Sequence, residues 1–229
     1  MFIGHFAVGF ASKKVAPKAS LAALIAAPLL LDLLWPIFLI AGLESVRIDP
    51  GNTVVTPLDL HDYPYTHSLL MSLVWSAVFG ALYWAKTRYT RGAVVVAAGV
   101  FSHWVLDFVT HRPDMPLYPG STTYVGMGLW NSRLATLVIE VALFIAGVAI
   151  YARATRPRNR RGAIALWTLV GFLFLFYFMN LFGPPPPSVE AIKYGGLTGW
   201  LFVLWAWWIE RNREVTPAVS GPGSRAGRG

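Results

Sequence analysis

From Leu21 to Leu43 the chain reads LAALIAAPLLLDLLWPIFLIAGL, an apolar run in which Asp32 is the single charged residue. A hydrocarbon core of roughly 30 Å takes about 20 helical residues at about 1.5 Å each. Backbone in lipid must also satisfy its own hydrogen bonds, so a run of this kind is constrained to be helix. The pattern recurs along the chain. Thr66 to Lys86, Gly92 to His111, Asn131 to Tyr151 and Ala163 to Phe182 are further spanning candidates, and Tyr194 to Ile209 with its flanks is another, rich in tryptophan. The predicted fold is all-α, a polytopic transmembrane helix bundle of about six spanning helices. Ahead of the first span, MFIGHFAVGF is apolar for only about ten residues before Lys13, Lys14 and Lys18, too short to cross the core. It reads as a short re-entrant N-terminal helix packed against its neighbours. A signal peptide fits poorly, because the charges follow the apolar run instead of preceding it.

Hydrophobic residues make up 55% of the chain and charged residues 13%, which excludes an ordinary soluble domain and makes the lipid bilayer the main partner. The net charge of +8 is a topology signal, and no nucleic acid is expected. Apart from Arg47, Arg112, Arg133 and Lys193, all of the 19 lysines and arginines fall on one side of the expected topology. By the positive-inside tendency that side is cytoplasmic, so the Lys-rich turn and the C-terminal tail lie inside. The acidic loop from Glu44 to Tyr65 then faces outward. Residues 1–213 are expected to form a single transmembrane domain, and 214–229 a disordered tail of low complexity.

Polar groups in the apolar runs are costly and mark function by default. In FSHWVLDFVTHRPDMPLYPG, Phe101 to Gly120, the residues His103, Asp107 and His111 are spaced four and four. On a helix such positions fall within roughly 80° of one another, so two imidazoles and a carboxylate share one face. Pro28 and Pro36 flank Asp32, which suggests a kinked helix with its carboxylate turned inward. Counted from the basic ends, His103 lies at about 18 Å, Asp32 at about 21 Å, Asp107 at about 24 Å and His111 at about 30 Å, with His5 at least about 12 Å deep. His67 begins its span at the outer end. These levels overlap in the outer half of the membrane.

The candidate metal ligands are therefore His5, Asp32, His67, His103, Asp107 and His111, all within residues 1–150. The chain has no cysteine, so imidazole and carboxylate must hold any divalent ion, with zinc favoured and manganese or iron next. Asp32 or Glu140 is the expected proton acceptor, and Arg112, beside His111, the expected binder of an anionic group. Glu140 and Arg133 are about 10 Å apart along a helix, too far to pair directly.

The combination of GHF around His5, LLLDLLWP around Asp32, YPYTHSLL around His67, and SHWVLDFVTHRPDMPLYPG resembles the membrane-bound metal-dependent hydrolases of the YdjM and YbcI type, the DUF457 group. The likeness covers roughly residues 1–150. His67, His103, Asp107 and His111 match the family's motif best, with His5 and Asp32 next. One departure is the first carboxylate region, often a Pro-Asp-Asp element in the broader group and here a single aspartate, which weighs against two ions. The resemblance implies a metal-dependent hydrolase; together with the topology and depths above, the expectation is a bacterial inner-membrane enzyme acting at the outer side on an ester or phosphoester, with a lipid-linked substrate entering laterally. Two alternatives use the same residues: a proton or metal-ion transporter, and a non-catalytic protein with a structural metal site. Transport needs polar groups through the inner half as well, and the sequence offers few there.

Overall fold

In the computed structural model, which describes residues 1–216, the apolar runs are helices. The chain opens with α1 (Ile3–Val15) and α2 (Leu21–Ile40). An antiparallel hairpin of β1 (Ser45–Ile48) and β2 (Leu58–Asp62) leads into the single turn α3 (Pro64–His67), then α4 (Leu69–Thr87) and α5 (Thr90–Thr110). A loop with the short pair β3 (Met115–Pro116) and β4 (Tyr124–Val125) precedes α6 (Arg133–Ala154). After β5 (Thr155–Pro157) come α7 (Arg160–Phe182), α8 (Val189–Gly196), α9 (Trp200–Arg211) and β6 (Arg213–Val215), which pairs with β5.

The bundle is all-α as expected, with five helices long and apolar enough to cross a membrane: α2, α4, α5, α6 and α7. The remaining expected span, Tyr194 to Ile209, is not one regular helix. It is divided between α8, a 3-10 turn at Leu197–Gly199 and the 12-residue α9. Gly195, Gly196 and Gly199 cluster at the break, where weak helix formers let the hydrogen-bond ladder tighten. At about 18 Å, α9 alone is shorter than a hydrocarbon core. Both pieces pack along α2.

At about 20 Å, α1 is also too short to span, and it lies inside the bundle, with Ile3, Phe6 and Phe10 fully buried. It packs chiefly on α6, then on α2 and α5. Two glycines permit that approach. A Cβ at Gly147 of α6 would stand 2.4 Å from the Ala7 carbonyl oxygen, and one at Gly9 would stand 2.8 Å from that of Leu24. The Leu24 carbonyl is the one whose helical donor Pro28 lacks, so α1 closes over backbone that α2 leaves unpaired. Ser20 caps α2 by accepting from Ala23 N at 3.0 Å, and the helix is continuous through Pro28 and Pro36.

The two ends of the bundle differ in kind. At one, β5 and β6 lie beside Lys13, Lys18 and Arg158 around a small cavity. At the other, the loops are tied together: Leu70 N donates to Leu117 O at 2.9 Å, and Arg133 Nη2 to Val54 O at 3.0 Å. Glu214 and Val215, placed by sequence in the tail, belong to β6. The rest of that tail, 217–229, lies outside the described residues.

Candidate metal centre

Four helices bring the site together: α1 with His5, and α5, α3 and α2. α5 carries His103 and Asp107 one turn apart, and His111 follows as its C-cap residue. α3 ends on His67, whose N–H donates to Tyr63 O at 3.0 Å. α2 contributes Asp32 from between its two prolines. His67, His103, Asp107 and His111 are all buried, whereas 43% of the Asp32 side chain is exposed.

The histidines are oriented by what holds their Nδ1 atoms. His103 Nδ1 lies 2.8 Å from Pro28 O; a carbonyl only accepts, so Nδ1 carries the proton and Nε2 the lone pair. For His67 the partner is Thr66 Oγ1 at 2.7 Å, and that hydroxyl donates onward to Glu44 Oε2 at 2.8 Å. The Glu44 Oε1 atom accepts from Tyr65 N and Thr66 N, each at 2.8 Å. Burial pushes the Glu44 carboxyl up from its ordinary range, against the pull of His67 and these donors. His111 Nδ1 donates to Asp114 Oδ1 at 3.0 Å, which also accepts from Tyr63 OH at 3.0 Å. Burial, with Asp114 alongside, holds the Tyr63 phenol well above its usual pKa, so it remains a donor. Imidazoles whose second nitrogen is anchored to a carbonyl, hydroxyl or carboxylate present a fixed lone pair, the usual preparation for a metal.

All three Nε2 atoms converge on Asp107 Oδ2, His103 at 2.9 Å, His111 at 3.7 Å and His67 at 3.9 Å. His67 Nε2 and His103 Nε2 are 3.3 Å apart, and Asp32 Oδ1 lies 3.5 Å from the first and 3.8 Å from the second. Two imidazole lone pairs facing each other at this range, with carboxylate oxygens around them, call for positive charge between them. The spacings also suit an ion. Tetrahedral ligands at about 2.0–2.1 Å are separated by about 3.3–3.4 Å. Asp32, His67 and His103 form one group able to hold a metal, and His5, His103 and Asp107 another, with His103 in both.

His5 differs from the other three. Its Nε2 lies 3.1 Å from Asp107 Oδ1, while its Nδ1 is buried without a hydrogen-bond partner. An N–H given to that oxygen leaves the lone pair on the far side of the ring. His5 thus either gives a proton to Asp107 or, in the other tautomer, joins His103 and Asp107 as a ligand, and its ring stacks on His103 with centroids 4.0 Å apart. The Met1 amino group donates to the same Oδ1 atom. Asp107 thus turns one oxygen to Met1 and His5 and the other to three lone pairs.

Two further expectations take other forms. Glu140 is buried, and its Oε2 accepts from Phe2 N at 2.8 Å and Gly4 N at 3.4 Å, so it anchors the start of α1. Arg112 is not free to bind an anion: its guanidinium donates to Asp59 Oδ1 at 2.6 Å and Asp114 Oδ2 at 3.3 Å. It steadies the carboxylate that orients His111. A cavity of about 690 Å³ opens over the cluster, lined by Asp32, His67, Asp107, His111 and Glu140, and Arg133 rather than Arg112 is its guanidinium.

Thr66 and Tyr63 had no signal in the sequence beyond proximity to His67, and Glu44, in the loop far upstream of it, had none. Asp114, three residues after His111, sits at a readable spacing. Losing an anchor of this kind weakens metal affinity by about 10–100-fold in other sites. Thr66→Val, which keeps the shape and removes the hydroxyl, is expected to weaken binding within that range while the protein remains folded. Competition with a calibrated chelator checks this, and unchanged affinity would remove the hydroxyl from the site.

A family model described as YdjM inner membrane protein matches residues 1–183. The match takes in α1 through α7, further than the motifs legible in the first 150 residues. No curated protein and no solved structure matches the chain.

Proposed function

We propose that this chain, which belongs to the YdjM inner membrane protein family, is a metal-dependent hydrolase of an ester or phosphoester that acts at the outer side of the membrane. The observation that carries this is the pair of Nε2 lone pairs 3.3 Å apart on His67 and His103, each fixed by an anchored Nδ1. His67, His103, His111 and Asp107 would hold the ion. A divalent ion in this set, zinc first for imidazole and carboxylate donors, supplies Lewis acidity to water and to the ester or phosphoryl oxygen.

The protein's own groups divide the remaining work. Asp32 is the member of the cluster most open to the cavity, and it is placed to take a proton from attacking water. Asp107 also lines the cavity, but only 3% of its side chain is exposed, and its other oxygen is held by His5 and Met1. Glu140 and Arg112 keep the frame in position, through α1 and through Asp114 respectively. The cluster lies toward the end of the bundle opposite the basic one, which the positive-inside tendency assigns to the outside.

Transport is the weaker reading. Between the cluster and the basic end the interior is filled by Phe6, Phe10, Ile25, Phe144, Val148 and Leu169, all buried and apolar. Among the described residues this apolar cluster offers a proton or cation no polar relay of the kind such pathways use.

Purified protein is expected to contain about one equivalent of a divalent ion. Chelation should abolish hydrolysis across a panel of 4-nitrophenyl phosphoesters and carboxylic esters, and zinc or manganese should restore it. Protein that takes up no divalent ion, or that hydrolyses equally well when stripped, would sink the proposal.

A further inference from the structure

Above the cluster the cavity is walled by the last turns of α7 and by Pro184 to Pro187, with Arg133 also in its lining. Two features of this wall go beyond what a small soluble ester requires. The first is where the cavity ends. Phe176 and Met179 line it, yet they are 40% and 60% exposed, so its edge reaches the outside of the bundle. Phe176 lies six residues, about 9 Å, inside the end of α7, a helix long and apolar enough to span. The opening is therefore lateral and at hydrocarbon depth, where an acyl chain can pass from the bilayer without crossing water.

The second feature is the charge at the rim. Arg133 stands on the first turn of α6, donating to Val54 O at 3.0 Å and lying 5.6 Å over the Phe182 ring. Among the described residues no carboxylate pairs with it, whereas Arg112 has two. A guanidinium offers five N–H donors in a planar fork that matches phosphate. Arg133 is two turns outward of Glu140 on the same helix, about 10 Å, so the cation sits at the end of the span and the apolar walls lie deeper. Anionic head outermost and hydrocarbon within is the order of a phospholipid in its leaflet.

We infer that the cleft binds an anionic phospholipid, its phosphate on Arg133 and its acyl chain leaving over Phe176 and Met179. That this lipid is also the substrate rests on the hydrolase proposal; that it binds does not. Native mass spectrometry of the intact protein tests binding, using ether-linked phosphatidylglycerol and phosphatidylcholine, whose chains cannot be cut at an ester, with glycerol phosphate as the soluble anion.

Wild type should retain phosphatidylglycerol about five- to tenfold over phosphatidylcholine, the scale of one basic residue at an interface. Arg133→Gln should erase that preference and keep its metal content, Arg133→Lys should recover part of it, and Arg156→Gln at the opposite end should leave it intact. Phe176→Glu, which puts charge in the path of the chain, should lower retention of both lipids. Equal retention of the two lipids by wild type would overturn the inference, as would an undiminished preference in Arg133→Gln. Displacement by glycerol phosphate as effective as by lipid would also overturn it, making the ligand a soluble anion. A lipid preference in protein that hydrolyses nothing would uphold it and count against the hydrolase. Turnover of soluble esters without any lipid preference would do the reverse.

Discussion

His103→Ala is expected to lose the bound ion and, with it, hydrolytic turnover. His103 belongs to both residue groups able to hold a metal, and its Nε2 makes the shortest approach to Asp107 Oδ2, at 2.9 Å. Removing it opens the cluster at its centre, so the loss should exceed the about 10–100-fold that follows removal of an outer anchor. Elemental analysis of the purified variant reads the outcome directly. Asp107→Asn, which preserves volume, is the companion variant and should fail in the same way. His61→Ala is the control. His61 lies on β2 and bonds to Ser45 Oγ at 3.0 Å, away from the cluster, and its loss should leave metal content unchanged. Full metal retention in both His103→Ala and Asp107→Asn would remove the site.

Asp32→Asn is expected to do the opposite, keeping the ion while turnover falls by about 10²–10⁴-fold, the usual contribution of a general base. The reasoning is positional. Asp32 Oδ1 stands 3.5 and 3.8 Å from two ligand nitrogens, and the residue lines the cavity with 43% of its side chain exposed, against 3% for Asp107. A carboxylate between ion and substrate space is where a proton acceptor must be, and an amide of the same shape cannot accept that proton. The pair of measurements separates the roles: metal without rate for Asp32→Asn, neither for His103→Ala. An Asp32→Asn protein that turns over at the wild-type rate would strip the residue of its role, and one that loses the ion would make it a ligand.

Much of this was legible in the sequence because a membrane supplies a ruler. The depths of Asp32, His103 and Asp107 followed from helical rise counted from basic ends, and these are residues that meet in the fold. The short first helix was likewise readable from the distance between its start and Lys13. The last expected span differs in regularity. Gly195, Gly196 and Gly199 break what looked like one more span, because apolar content alone does not say whether a helical ladder stays regular.

The order of residues carries one-dimensional information: which segments lie in lipid, how deep each polar group sits, and which share a helix face. Those follow from bilayer thickness and helix geometry, which act along each segment separately. Which groups face one another came from the folded packing. It set His5 against Asp107 and His103, tied Arg112 to two carboxylates and left Arg133 in the cavity wall. It also anchored His67 through Thr66 to Glu44. Such roles depend on hydrogen-bond distances across segments far apart in the chain, where a shift of about 1 Å exchanges one partner for another.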